Sequence, residues 1–332
     1  MNVSGSMGLK MLARGMRNRL AKKPLSVSFE VTHSCTANCW HCNWGGGVKE
    51  ERLSAGEYAE ICRELRPVVS HVSGGEPLIR GDVYEIVDAM TNEGGLPWMI
   101  VVSNCSTLTP EKFRKLKAAG MHQLSVSLDF PDERHSEFRR IPGLFERMGE
   151  VLPEIARTSE KDDVLLNVCI TAWNYRDIPD IVKLADDWGL PVNFSVYTHL
   201  RVQDRDGLVQ DDDLGDLAEK IQEVIDLQKE GYPVYTSPRV MWKYHRFLTE
   251  EGIEGCQAGE RFLVINPDGR LTPCAMVMAY FDSQEEMYEQ FTKQNTCTQC
   301  YISTRANTEK TFGEFLQDNG PILKRMLLPW RN

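Results

Sequence analysis

Three cysteines crowd into the eight positions of CTANCWHC: Cys35, Cys39 and Cys42. A structural zinc or a fully ligated iron–sulfur cluster takes four protein ligands. Three thiolates instead hold three corners of a cubane [4Fe–4S] cluster and leave one iron open to an outside ligand, as a catalytic zinc keeps an open position. Farther along, Cys256, Cys274, Cys297 and Cys300 supply four thiolates, enough to close one cluster or one zinc site. Cys62, Cys105 and Cys169 stand singly, and a lone buried cysteine commonly serves as a small apolar residue. Cys105 differs in lying at a strand end on the side of the cysteine loop. There it could relay a hydrogen atom or proton, or simply pack.

The elements that must position these thiols alternate β-branched runs with helical patterns. Candidate strands are LSVSFEVT (25–32), VVSHVSG (68–74), WMIVVSN (98–104), QLSVSLD (123–129), VLLNVCIT (164–171) and VNFSVYT (192–198). Helical stretches fall between them, starting at Ser54, where Ser54 and Glu57 have the form of a capping box, and continuing near 81–93, 110–119, 144–157 and 177–188. Thr109, Pro110 and Gly120 mark the start and stop of the 110–119 helix. Six strand-then-helix repeats imply a parallel sheet, either a partial barrel or an open doubly wound sheet, which periodicity does not separate. The rhythm stops after Thr198, and a loop with Tyr197, His199 and Arg201 at its start leads to a helix whose buried stripe is Leu214, Leu217, Ile221, Val224 and Ile225. A hairpin is expected within 256–274, turning at Pro267, Asp268 and Gly269, and a last helix near 311–327.

Ten cysteines in 332 residues are too few for a disulfide-built scaffold, and the first thirty residues hold no signal-peptide core, so a reducing cytoplasm is expected. The net charge of −10 is uneven, because residues 1–29 contain no acid while Lys10, Arg14, Arg17, Arg19, Lys22 and Lys23 are basic. The rest is therefore more acidic still and ill suited to nucleic acid. Leu9, Leu12, Ala13, Met16 and Leu20 would form one apolar stripe on a helix over this arm. Such a helix could dock its stripe on the main domain, or lie through residues 8–23 on the inner face of an anionic membrane.

CTANCWHC, followed after the second strand by SGGEP (73–77), resembles the signature and second motif of the radical S-adenosylmethionine (SAM) superfamily. The resemblance implies a partial (βα)6 TIM-type barrel over 25–235, after an arm (1–24). It implies that Cys35, Cys39 and Cys42 hold the SAM cluster, that His41 lies near the adenine, and that Gly74, Gly75 and Glu76 meet the methionine amino group. SNCSTL is similar to the family's T-N-G stretch and brings in Ser103 and Asn104, with Cys105 where Gly is usual. SVSLDFPDERHSEFRR is similar to the fourth-strand motif, making Ser127 and Arg139 candidates for the SAM carboxylate, with Arg140 where Gly is more frequent. The run from Cys256 through Gly269 to Cys274, closed by Cys297 and Cys300, resembles the twitch and SPASM extensions, which implies a small auxiliary iron–sulfur domain (236–310) before the final helix (311–332). A zinc knuckle has the same ligand set.

By this resemblance the cofactors are SAM and two [4Fe–4S] clusters, with a flavodoxin- or ferredoxin-type donor. The reduced cluster cleaves SAM, and the resulting 5′-deoxyadenosyl radical abstracts hydrogen from an unactivated C–H bond. A fully ligated auxiliary cluster suits an electron acceptor, so dehydrogenation of a small metabolite such as a sugar alcohol or aminoglycoside is the leading expectation. Tyr197, His199 and Arg201 are the candidate substrate contacts. The alternatives are a lipid or isoprenoid substrate at a membrane, suggested by the arm; a peptide maturase, disfavoured because no domain-sized region precedes the barrel; and a zinc-stabilised interaction protein without SAM cleavage.

Overall fold

The computed structural model describes residues 5–318 apart from 97, 161, 251, 312, 315 and 316. In chain order the elements are α1 (Gly5–Leu20), β1 (Ser26–Thr32), α2 (Ala55–Leu65), β2 (Val69–Gly74), α3 (Val83–Asp88), β3 (Trp98–Ser103), α4 (Pro110–Ala118), β4 (Gln123–Ser127), α5 (Arg134–Arg139), α6 (Leu144–Thr158), β5 (Val164–Ile170), α7 (Ile178–Asp187), β6 (Val192–Val196), α8 (Leu214–Glu230), α9 (Pro238–Thr249), β7 (Phe262–Ile265), β8 (Leu271–Thr272), α10 (Gln284–Gln290) and α11 (Ser303–Thr308). The helix read over 311–327 lies largely outside the described residues. Among the described residues no helix is long and apolar enough to cross a membrane.

Topology decides between the two sheets that periodicity left open. Strands β1 to β6 pair in sequence order and all in parallel, with no reversal of strand order. A doubly wound sheet would switch direction partway, so this is a partial barrel. The expected hairpin is present, with Gly269 in the left-handed region at φ 89° and its N–H donated to Asn266 O at 2.9 Å. Its first strand, β7, adds in parallel to the free edge of β1, pairing Ser26 with Phe262 and Phe29 with Ile265. The C-terminal region is thereby joined to the barrel through the main sheet.

Helix boundaries follow local chemistry. Ser54 and Glu57 close a reciprocal capping box on α2, and Thr109 Oγ1 accepts from Lys112 N at the start of α4. The core lies between sheet and helices: Val27, Phe29, Val72, Met99, Val101, Leu124, Leu166 and Phe194 are buried among helix residues such as Tyr58, Ile86, Leu116, Leu152 and Ile181. The pleat turns alternate strand residues to the other face, the lumen. There stand Ser28, Glu30, His71, Ser73, Ser125, Ser127, Asn167, Cys169 and Asn193. A closed TIM barrel packs this space with Val, Ile and Leu. Here Ile100, Val102 and Leu165 share the face with these polar side chains, so the lining is mixed.

Candidate active site

The cysteine loop leaves the C-terminal end of β1, the face where barrels of this kind carry their chemistry. It folds back on itself through Cys35 N donating to Gly46 O at 2.9 Å and Cys42 N donating to Cys39 O at 3.2 Å. Beside it, the end of β2 comes so close that side chains have no room. A Cβ on Gly75 would stand 2.0 Å from Ser34 O, and one on Gly74, at φ 127°, 2.1 Å from Thr32 O. Gly75 N and Glu76 N use this closeness to donate to Thr32 O and Ser34 O at 2.7 and 2.9 Å.

The Glu76 carboxylate is fully buried and spent internally. It accepts from Leu78 N at 3.1 Å, Ser103 Oγ at 2.9 Å and Asn104 N at 2.7 Å. Burial pushes its pKa up against the pull of those donors. Glu76, expected to meet the methionine amino group, also brackets the ends of β2 and β3. Asn104 Nδ2 in turn reaches Thr36 Oγ1 at 2.9 Å and Cys35 Sγ at 3.6 Å.

Six of the ten cysteines have a backbone donor aimed at sulfur. Backbone N–H groups two residues onward donate to sulfur at Cys35 (from Ala37, 3.4 Å), Cys42 (from Trp44, 3.5 Å), Cys256 (from Ala258), Cys274 (from Met276), Cys297 (from Gln299) and Cys300 (from Ile302). An N–H aimed at sulfur favours the thiolate, the form that binds metal. Cys39 lacks such a donor but lies near the Arg139 charge, which acts in the same direction against burial. No backbone donor is directed at Cys62, Cys105 or Cys169, and burial pushes each up to about 12; burial also outweighs the donors at Cys35, Cys274 and Cys300, so the difference lies in the N–H geometry. Among the described residues no three His, Cys, Asp or Glu side chains gather at one point suited to a single metal ion. Thiolates on one zinc stand about 3.8 Å apart, given a Zn–S bond of about 2.3 Å. In a cubane each binds its own iron and the sulfurs spread wider. The N–H donors suit thiolate ligation at both sets.

Arg139, a candidate for the SAM carboxylate, is paired through Nε with Asp129. Its Nε is 2.6 Å from Asp129 Oδ2, with both groups buried, and burial would push the Asp129 carboxyl up but the guanidinium holds it below its ordinary value. His135 accepts from Asp129 N at 3.1 Å through Nδ1, and burial lowers its pKa to about 3, so it is neutral. His41 stacks on Phe138 at 5.1 Å, with Nδ1 buried and unpartnered. Ser127 ends β4 on the lumen face. Cys105 is fully buried in the apolar core, as a packed thiol would be. Both residues that stand where Gly is usual lie in the left-handed region, Cys105 at φ 70° and Arg140 at φ 55°.

Of the candidate substrate contacts, Tyr197 is nearly buried and donates its hydroxyl to Asp204 O at 2.8 Å, and His199 is half-buried. Arg201 is placed centrally. Its Nε donates to Asn43 Oδ1 at 2.8 Å, its Nη1 to Ala275 O at 3.0 Å, and it lies over the Trp44 ring at 5.0 Å and 3.5 Å from Glu30 Oε1. One guanidinium thus joins the neighbour of Cys42 to the neighbour of Cys274. Glu30, the Trp44–His33 stack (3.8 Å, 8°) and Asp129 were not assigned from sequence. Glu30 could have been found as the acid on the lumen face of SVSFEVT, and Asp129 as the last residue of S-x-D. Arg305, fully buried and donating to Cys300 O at 2.5 Å and Glu254 O at 2.7 Å, carried no sequence signal.

Residues 29–185 match the model of the radical SAM superfamily. The chain is 28% identical to the AdoMet-dependent heme synthase of Methanosarcina barkeri over 77% of its own length and 78% of that protein. It is 27% identical to the mycofactocin maturase MftC of Mycolicibacterium smegmatis over 76% of its length and 64% of that protein. Among solved structures, SuiB of Streptococcus suis bound to SAM superposes with a TM-score of 0.63 at 16% identity, over 83% of this chain and 67% of that one. Native anSMEcpe with bound AdoMet gives 0.60 at 13% identity, over 91% and 99%. At such identities these two structures speak to the fold.

Proposed function

We propose, on the premise that residues 29–185 form a radical SAM domain, that this chain oxidises an organic substrate by two electrons, starting with loss of hydrogen from an unactivated C–H bond. Cys35, Cys39 and Cys42 would hold the cluster that binds SAM, and Cys256, Cys274, Cys297 and Cys300 a second one. Bound, these groups supply reductive cleavage of SAM to methionine and a hydrogen-abstracting radical, with a second site to receive an electron.

The observation that carries this reading is Arg201, whose single side chain ties the first cysteine loop to the second through Asn43 Oδ1 and Ala275 O. Both thiol sets therefore border one mouth of the lumen. The chain's own residues do the positioning. Backbone N–H groups aim at the sulfurs of Cys35 and Cys42, the Glu76 bracket fixes the strand ends, and His41 and Phe138 offer stacked faces for a planar base. The Asp129–Arg139 pair places a nearly cancelled charge beside the site. Lumen Ser and Asn side chains offer hydrogen bonds to a polar substrate. A flavodoxin or ferredoxin is the fitting source of the electron.

Exposed Trp40 and Trp173, with Met278 and Tyr280, favour a second reading of the substrate as a peptide or tetrapyrrole with an apolar face. It agrees with the names of the heme synthase and maturase relatives. Anaerobic protein reduced in the presence of SAM should release 5′-deoxyadenosine, faster once the right substrate is added from a panel of sugar alcohols, aminoglycosides, peptides and porphyrins. Absence of 5′-deoxyadenosine with chemical and protein reductants alike would end the reading.

A further inference from the structure

The basic arm is docked the wrong way round for a helix that merely covers a core. In α1 the side turned to the protein carries Met7, Met11, Arg14, Gly15 and Asn18. Asn18 is buried and donates through Nδ2 to Pro24 O and Arg66 O, each at 2.8 Å. Arg14 Nη1 donates to Gly95 O at 2.9 Å, Arg19 Nη2 to Lys310 O at 2.7 Å and Lys23 Nζ to Glu64 O at 2.7 Å. At about 100° per residue, Leu9, Leu12, Met16 and Leu20 lie on the opposite side. They are 66%, 38%, 54% and 88% exposed.

We infer that α1 seats the protein on an anionic lipid bilayer. Lys10 and Arg17 flank the stripe on one side and Arg19 on the other, and residues 1–29 contain no acid. Among the described residues none of Lys10, Arg14, Arg17, Arg19, Lys22 and Lys23 has a carboxylate partner; Arg14, Arg19, Lys22 and Lys23 donate to carbonyl oxygens or a tyrosine hydroxyl. Their charge is therefore not cancelled. An apolar ridge between rows of uncancelled cations matches acyl chains bordered by anionic headgroups. A body that is net acidic has no comparable attraction, so the arm decides the orientation.

That orientation has a consequence for the reaction. The carbonyls gripped by α1 belong to residues 64–67 and 95, which precede β2 and β3, whereas the cysteine loop follows β1. The arm and the mouth lie at opposite ends of strands of up to seven residues, roughly 23 Å apart. A bilayer held by α1 thus faces the closed end of the barrel and leaves the mouth open to water-borne substrate and electron donor. It anchors the protein without presenting a lipid to the site.

The test is flotation of the anaerobically reconstituted full chain with vesicles of phosphatidylcholine alone or mixed with phosphatidylglycerol, alongside light scattering without lipid. Binding is expected with the mixed vesicles only and should weaken as salt rises. Leu12→Glu/Met16→Glu should reduce partitioning by about tenfold or more, and Lys10→Ala and Arg17→Ala by about fivefold each. All four side chains are exposed, so unchanged iron content serves as the control for folding. Binding that ignores the Glu substitutions overturns the inference. So does a dimer abolished by them, which would assign the stripe to a second copy, and so does a monomer that never floats.

Discussion

Arg139 Nε lies 2.6 Å from Asp129 Oδ2, and both groups are buried. The sequence resemblance offers Arg139 to the carboxylate of SAM, but the guanidinium is already half committed to Asp129. Removing one member of a buried pair leaves the other uncompensated. Arg139→Met should therefore cost about 3–5 kcal/mol, and the double variant Asp129→Asn/Arg139→Met less than that. Urea unfolding of the anaerobic proteins reads both. A cost below about 1 kcal/mol for Arg139→Met would mean that solvent screens the pair and that Arg139 is free for a ligand.

Gly75 and Ser34 make a second prediction. Alanine at 75 would drive a methyl group into Ser34 O and C, backbone atoms that cannot rotate away, at 2.0 and 2.5 Å. The loop carrying Cys35 must shift, so Gly75→Ala should lose iron from the first cysteine set while retaining the second. Gly47→Ala, in the same loop with nothing within 4 Å of the added carbon, should keep its iron. Equal iron in the two variants would refute the steric account.

Arg140, left-handed where Gly is more frequent, predicts a small effect. A non-glycine residue there pays about 1–2 kcal/mol in backbone strain, while Arg140 recovers part by stacking over Trp40 at 4.4 Å. Arg140→Gly should leave stability within about 1 kcal/mol and make Trp40 more accessible to a collisional quencher. A loss well beyond that range would show that the stack matters more than the strain.

Acid should destabilise the fold through His135. Burial lowers its folded-state pKa to about 3, whereas the unfolded side chain titrates near its ordinary value. The unfolded state therefore takes up a proton that the folded state refuses, and stability falls as pH drops below about 6.5. By pH 5 this one group costs about 2 kcal/mol. His135→Gln keeps an acceptor for Asp129 N without titrating, and its urea midpoint should fall less steeply than that of the parent. Parallel slopes would contradict this assignment.

What was legible in the sequence was local. Strand ends, the Ser54–Glu57 box and the cysteine spacings are set by neighbours a few residues away, and they appear within a residue or two of where the pattern puts them. What was not legible depends on distant partners. Arg201 meets Asn43 across 158 positions and Ala275 across 74, and β7 joins β1 across the whole barrel. The apolar stripe of α1 was readable, but not the side it would face, because hydrogen bonds from Asn18 and Arg14 to backbone carbonyls decide the docking. Gly74 and Gly75 were identified for approach to a ligand, and the structure shows that the backbone of the cysteine loop leaves no room for a side chain at either.

The most direct test of the central claim is iron, sulfide and zinc content with electron paramagnetic resonance on anaerobically reconstituted protein, beside a Cys35/Cys39/Cys42→Ala variant. About eight irons, falling to about four with a persisting cluster signal in the variant, is the predicted result. About four irons with one zinc, and no cluster signal in the variant, would contradict it and leave the second cysteine set a structural site.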